Sequence, residues 1–196
     1  MHRPTQSDAE GAVQRRAAFV AAIPQDLLSA EDRLPAKVTT LNGSSRSKLS
    51  VVYKVADELS RVREPFVACK SGCSSCCNMN VSITRAEADR MARAVGRSAA
   101  ALSASPRHAP DKFSGVPCPF LTKKGTCSVY ADRPLACRKH SSFFMNETPC
   151  HPSVMHLIEV PMVSFSGLDA ALMVASGAVG PLLADIRDFF PSVARF

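Results

Sequence analysis

The apolar positions of the first third of the chain recur at helical intervals. Leu49, Val52, Tyr53, Ala56 and Leu59 step forward by three and four residues, which places them on one face of a helix over 48–62. The same kind of spacing predicts a helix over 9–22, and Pro24 opens a shorter one over 25–30. The stretch LNGSSRS around Gly43 reads as a loop between them.

Farther along, the pattern changes. The chain turns helical again at 82–87, where Thr84 and Glu87 have capping-box spacing, and Met91, Ala92 and Val95 supply an apolar face before Gly96. The segment VPCPFLTKKGTCSVY predicts two short strands joined at Lys123-Lys124-Gly125, a small hairpin with Cys118 and Cys127 on its arms. Asp132, as a cap, and Pro134 then open a short helix, ADRPLACRKH, that carries Cys137. Near the end, Leu168, Leu172, Val179, Leu183 and Ile186 predict one long apolar helix over about 167–190, kinked at Pro181. Such a stripe reads as core rather than as a cofactor box.

The predicted fold is therefore mainly α with a small β-hairpin, and with an irregular cysteine-rich metal-binding core packed between helices. Three zones are expected within a single domain. They are a helical region over 1–64, a cysteine-cluster region over 65–151 and a C-terminal helical region over 152–196 packing on the same core.

With 196 residues, 46% of them apolar, the chain has enough apolar surface to fold without covalent staples. No signal peptide is evident at the start. The apolar tract AALMVASGAVGPLLA is shorter than a membrane span and is flanked by Asp169 and Asp185. The expectation is a cytoplasmic protein with no membrane partner, in which clustered thiols signal a metal or redox chemistry rather than a disulfide framework.

Charge sharpens this reading. Residues 65–151 hold 12 basic and 5 acidic side chains, an excess of seven, while 1–64 hold 10 and 8 and 152–196 hold 2 and 4. The basic excess coincides with the cysteines, and nearby cations stabilise thiolates. Nucleic-acid binding is disfavoured, because the chain has two tyrosines, no tryptophan and no dense Lys/Arg run. A protein partner is left open.

All eight cysteines fall in this zone, as Cys69-x3-Cys73-x2-Cys76-Cys77, then Cys118, Cys127, Cys137 and Cys150. Two cysteines separated by two residues can reach one metal from a single loop, and all eight are candidate ligands for zinc or an iron-sulfur cluster. Gly72 allows a backbone turn that points amides at sulfur. Consecutive side chains diverge, so Cys76 and Cys77 imply two centres or one shared multinuclear centre. The division among ligands is left open. His140 and His151, near Cys137 and Cys150, are secondary candidates that could replace a sulfur. A thioredoxin-like use of Cys73 and Cys76 fits poorly, since that chemistry needs an isolated pair in a strand-to-helix context.

The segments CKSGCSSCC, PCPFL and GTCSVYADRPLACR together resemble the zinc- or iron-chelating cysteine-cluster family, the YkgJ-type proteins with a CxxCxxCC signature. The resemblance covers roughly residues 66–150 and implies metal ligation by the cysteines it matches. The first spacing here is three residues where the family label has two. A related pattern occurs in flagellin lysine methylases, and the C-x3-C-x2-C run is similar to the cluster motif of radical enzymes that use S-adenosylmethionine. An iron-sulfur redox protein or enzyme is thus the alternative to a metal-binding protein without catalysis. No carboxylate pair, Ser-His-Asp order or phosphate-cradling loop announces an active site, and Asp111 and Glu147 are isolated acids.

Overall fold

A computed structural model describes residues 4–70, 72–109, 111–151, 153–155, 157–177 and 181–191. Four helices occupy the first third, α1 (Gln6–Ala22), α2 (Gln25–Asp32), α3 (Leu34–Thr40) and α4 (Ser45–Arg63). Helix α1 starts three residues earlier than its apolar spacing indicates. Thr5 and Asp8 form a reciprocal cap there, with Thr5 Oγ1 accepting from the Asp8 amide and Asp8 accepting from the Thr5 amide at 2.8 Å. Helix α3 has no clear periodic signal because it is only seven residues long. It is started by Pro35 in its first turn and held by burial of Leu34 and Val38. All five residues of the α4 stripe are buried.

These helices share one apolar core with α7 (Ser166–Ala175), in which Phe19, Leu49, Leu59, Phe143, Phe165 and Leu168 are packed together. The join between α2 and α7 is close. A side-chain Cβ at Gly167 would stand 2.2 Å from the Glu31 carbonyl oxygen, so only glycine fits. The buried Glu31 carboxylate in turn accepts from the Leu168 amide at 2.8 Å, satisfying a donor that the start of α7 would otherwise leave orphaned.

The predicted long C-terminal helix does not form. Helix α7 ends at Ala175, Gly177 takes a left-handed conformation (φ 115°), and residues Leu183–Asp185 become a strand, β2. It pairs antiparallel with β1 (Ser82–Thr84), in the register Ser82↔Asp185, Ile83↔Ala184, Thr84↔Leu183. Asp185 then caps the one-turn helix α8 (Ile186–Phe189) by accepting from the Arg187 amide. An apolar run fits a buried strand as well as a buried helix, which is why periodicity misleads here. Of the predicted stripe, Leu168 and Leu172 belong to the helical core, Ile186 to a second cluster, and Val179 lies outside the described residues.

That second cluster gathers Ile83, Met91, Phe120, Val129, Ile186 and Phe189, with Cys118 and Cys127 packed against it. Its helix α5 (Arg85–Ala94) starts after β1, so residues 82–84 are strand rather than first turn. Thr84 and Glu87 nevertheless cap it reciprocally as expected. The predicted hairpin shrinks to a single bridge between Leu121 and Cys127 around a left-handed Gly125 (φ 75°). Helix α6 (Leu135–Lys139) carries Cys137, but Asp132 does not cap it; its carboxylate pairs with Arg90 at 2.8 Å instead. The molecule is thus mainly α with one small antiparallel sheet. Among the described residues no helix is long and apolar enough to cross a membrane.

Candidate metal centre

The first cysteine loop is shaped by local turns. Gly72 has φ 90°, a conformation that L side chains resist, and it lets the Cys73 amide turn back onto the Lys70 carbonyl at 3.0 Å. A single 3-10 turn over Ser75–Asn78 follows and presents Cys76 and Cys77, with the Cys77 amide bonded to Ser74 O at 2.9 Å. The loop is docked at both ends. Ala68 N donates to Ser142 O at 3.0 Å, while Cys118 N donates to Cys77 O at 2.8 Å and Gly115 N to Asn78 O at 2.7 Å. A Cβ at Gly125 would contact Ser74 Oγ and Gly72 O at 3.7 and 3.8 Å, so the turn between Cys118 and Cys127 lies against the same loop.

Two buried arginines and one buried glutamate fix the rest. Arg187 donates to Cys77 O at 3.2 Å, to Val116 O and to Asp185 at 2.9 Å, tying the C-terminal strand region to the cysteine loop. Arg63, at the end of α4, donates to Arg138 O at 2.7 Å and Lys139 O at 2.8 Å, the carbonyls at the C-terminal end of α6. Glu87 holds the other end of α6. Its carboxylate accepts from Leu135 N at 2.8 Å, Thr84 N at 3.0 Å and Tyr53 Oη at 3.0 Å. Cys137 is therefore mounted on a turn braced at both ends. Sequence reading missed Arg187 because its segment reads as part of a long helix; the capping-box spacing did mark Glu87.

All eight cysteines are free thiols, Cys150 buried and the other seven half-buried. A backbone amide donates to the Cys69 sulfur, Ser142 N reaching Cys69 Sγ at 3.3 Å. Burial pushes the Cys118 and Cys150 thiols up to about 11 and raises those of Cys73, Cys127 and Cys137. Cys77 is lowered, first by a hydrogen bond from the Cys76 thiol and also by Arg187. Cys76 is raised because it is that donor and because it is buried. Among the described residues, no three His, Cys, Asp or Glu side chains are already assembled as a metal-holding group.

The remaining candidates differ in character. His151 Nδ1 is engaged with Ser153 Oγ at 2.8 Å. His140 Nε2 is buried without a partner among the described residues, and burial, with Arg63 beside it, lowers the imidazole pKa and favours the neutral ring. Glu147 lies close enough to Cys73 and Cys150 to raise their thiols further, and Asp111 is exposed in a turn.

Residues 68–151 match the family CxxCxxCC, described as a putative zinc- or iron-chelating domain. The match spans all eight cysteines and both 3-10 turns at its ends, Ser75–Asn78 and Thr148–Cys150. The resemblance carried by the cysteine motifs is thus borne out for this segment, which is described as metal-chelating without a choice between zinc and iron. No curated protein and no solved structure matches the chain.

Proposed function

We propose that this is a cytoplasmic metal-binding protein whose cysteines Cys69, Cys73, Cys76, Cys77, Cys118, Cys127, Cys137 and Cys150 hold zinc or an iron-sulfur centre. The observation that carries the reading is that folding draws distant cysteine segments onto one another, with Cys118 N bonded to Cys77 O at 2.8 Å and Leu121 bridged to Cys127. A thiolate is also stabilised by a backbone N–H, and Cys69 has one from Ser142 at 3.3 Å.

Eight crowded, partly buried sulfurs repel one another as bare anions, and a bound cation inverts that balance, since it is the largest charge in its surroundings. Sulfur-only donors suit zinc and iron-sulfur clusters alike and disfavour magnesium or calcium. Closed thiolate sites would brace the irregular segment 68–151, and an iron-sulfur centre would add electron transfer.

Metal and acid-labile sulfide analysis with a visible spectrum, on protein purified without oxygen or added metal, tests this. Iron with sulfide assigns a cluster, and stoichiometric zinc in colourless protein assigns a bracing site. Protein free of both metals that also takes up neither on reconstitution overturns the proposal.

A further inference from the structure

We propose that the surface over the Cys118–Cys127 turn is a docking face for an acidic segment of another protein, held by Arg93, Arg97, Lys123, Lys124 and Arg133 around an exposed Tyr130. The inference goes beyond metal binding and does not depend on which metal, if any, the cysteines hold.

The face is built at the C-terminal end of α5. Its last turn closes on Gly96, which is left-handed (φ 63°), and the Arg97 amide bonds back to Ala92 O at 3.0 Å. In this kind of cap the residue after the glycine commonly packs an apolar side chain against the helix end. Here that residue is an exposed arginine, whose guanidinium carbon lies 5.7 Å from the ring centres of both Phe120 and Phe190. Phe120 begins the turn that carries Lys123 and Lys124, and the 3-10 turn Tyr130–Asp132 follows that turn in the chain. One turn of α5 before Arg93, Arg90 meets Asp132 at 2.8 Å. Arg90 and Arg97 thus contact the two sides of this turn region, and Arg93 stands between them along the chain.

Only the first member of that row is answered. Residues 85–133 hold nine basic and four acidic side chains. Of the four acids, Asp132 is taken by Arg90 and Asp89 by Arg85, each at 2.8 Å, and Glu87 is buried. Among the described residues no carboxylate forms an ion pair with Arg93, Arg97, Lys123, Lys124 or Arg133. The dipole of α5 accounts for a cation at 93, in its last turn, but not for the other four. Nor does it account for Tyr130, which is 60% exposed with the Arg133 guanidinium carbon 3.9 Å from its ring centre. Tyrosine and arginine are the side chains that most often anchor protein interfaces, and this pair is already stacked before any partner arrives.

The chemistry of the face selects carboxylates carried by a protein. Three of its cations are arginines, whose planar forks match carboxylates two bonds at a time. Nucleic acid is read by successive exposed aromatic rings, and Tyr53, the second of the two tyrosines, is buried. A two-fold dimer through this face would set its cations against themselves. The Asp132–Arg90 pair shows, within the chain, how a carboxylate is received here. Cys118 and Cys127 pack against the cluster that contains Phe120, so a partner seated on this face lies next to the cysteine side of the molecule.

The test is binding of a fluorescently labelled glutamate-rich peptide to the full-length protein, read by anisotropy at low and at raised salt. Arg93→Glu/Arg97→Glu and Lys123→Glu/Lys124→Glu should each weaken binding by about tenfold or more, and Tyr130→Ala by about fivefold. Lys54→Glu/Arg61→Glu reverses the same number of exposed charges on α4 and should change the affinity by less than about twofold. An equal loss from that control pair would reduce the attraction to net charge and overturn the proposal, as would a peptide that does not bind at low salt. Tighter binding of a single-stranded oligonucleotide, or of phosphatidylserine vesicles, through the same residues would overturn the choice of a protein partner. Hydrogen exchange of the unsubstituted protein locates the peptide without any variant. Slowing should be confined to 92–98 and 119–133, and slowing elsewhere alone overturns the assignment.

Discussion

The helical side of the molecule and its cysteine side are built on different principles. Helices α1–α4 and α7 bury Phe19, Leu34, Leu49, Leu59 and Leu168 almost completely and need only apolar surface to stay together. Between residues 95 and 129 the described chain has no helix or extended strand, and it supplies only Phe120 and Val129 to the buried members of the second cluster, itself about half the size of the helical one. What positions that segment is a set of single bonds to buried side chains, Arg187 to Val116 and Cys77 among them. On the proposed metal-binding function, a region with this little apolar packing would gain order from coordination, because metal-binding free energy is folding free energy where no site exists in the unfolded chain.

Metal removal should separate the two sides most sharply. After chelation, hydrogen exchange is expected to accelerate throughout 68–81 and 111–128 while α4 and α7 keep their protection. Structural zinc sites contribute roughly 10 kcal/mol or more to folding, so the loss should exceed that from any single core substitution. Equal loss on both sides would show that the helical core depends on the metal too.

The converse experiment is Phe19→Ala. Phe19 is fully buried against Phe66, Phe143 and Phe165, and its truncation should cost about 4 kcal/mol by denaturant unfolding. The metal content of the folded fraction should not change. A coupled fall in metal content would erase the distinction between the two sides.

Glu87 joins the two sides, and Glu87→Ala should cost about 3 kcal/mol by orphaning the donors of Tyr53, Thr84 and Leu135. A smaller effect accompanies it. Burial raises the Glu87 carboxyl above 4.5, so the folded chain keeps this proton to higher pH than the unfolded chain does. Its contribution is full below 4.5 and declines as pH rises through the raised value. Comparing the pH slope of wild type with that of Glu87→Ala, by unfolding between pH 4 and pH 7, isolates this component.

The helical side was the more legible in the sequence. The α4 stripe and the Thr84–Glu87 cap work through near neighbours, and their periodicity survives in the structure. So does the need for glycine at position 72. What escaped depends on distant chain. The strand β2 exists because β1 lies opposite it about a hundred residues away, and nothing within Leu183-Ala184-Asp185 distinguishes a strand from a helical turn. The docking of the cysteine loop was illegible for the same reason. Ser142 meets Cys69 Sγ only after folding, and serine at that position carries no signal of it.

The strand that completes the cysteine side is also the last part of it to be made. Translation adds roughly 5–20 residues per second, and 35 positions separate Cys150 from Asp185, so even the last thiol is synthesised roughly 2–7 s before β2 and Arg187 follow. During that interval the carbonyl of Cys77 lacks its clamp and β1 lacks its mate. A nascent chain therefore offers its sulfurs to metal or oxidant in an open form, and the later arrival of Arg187 latches whatever state they have reached.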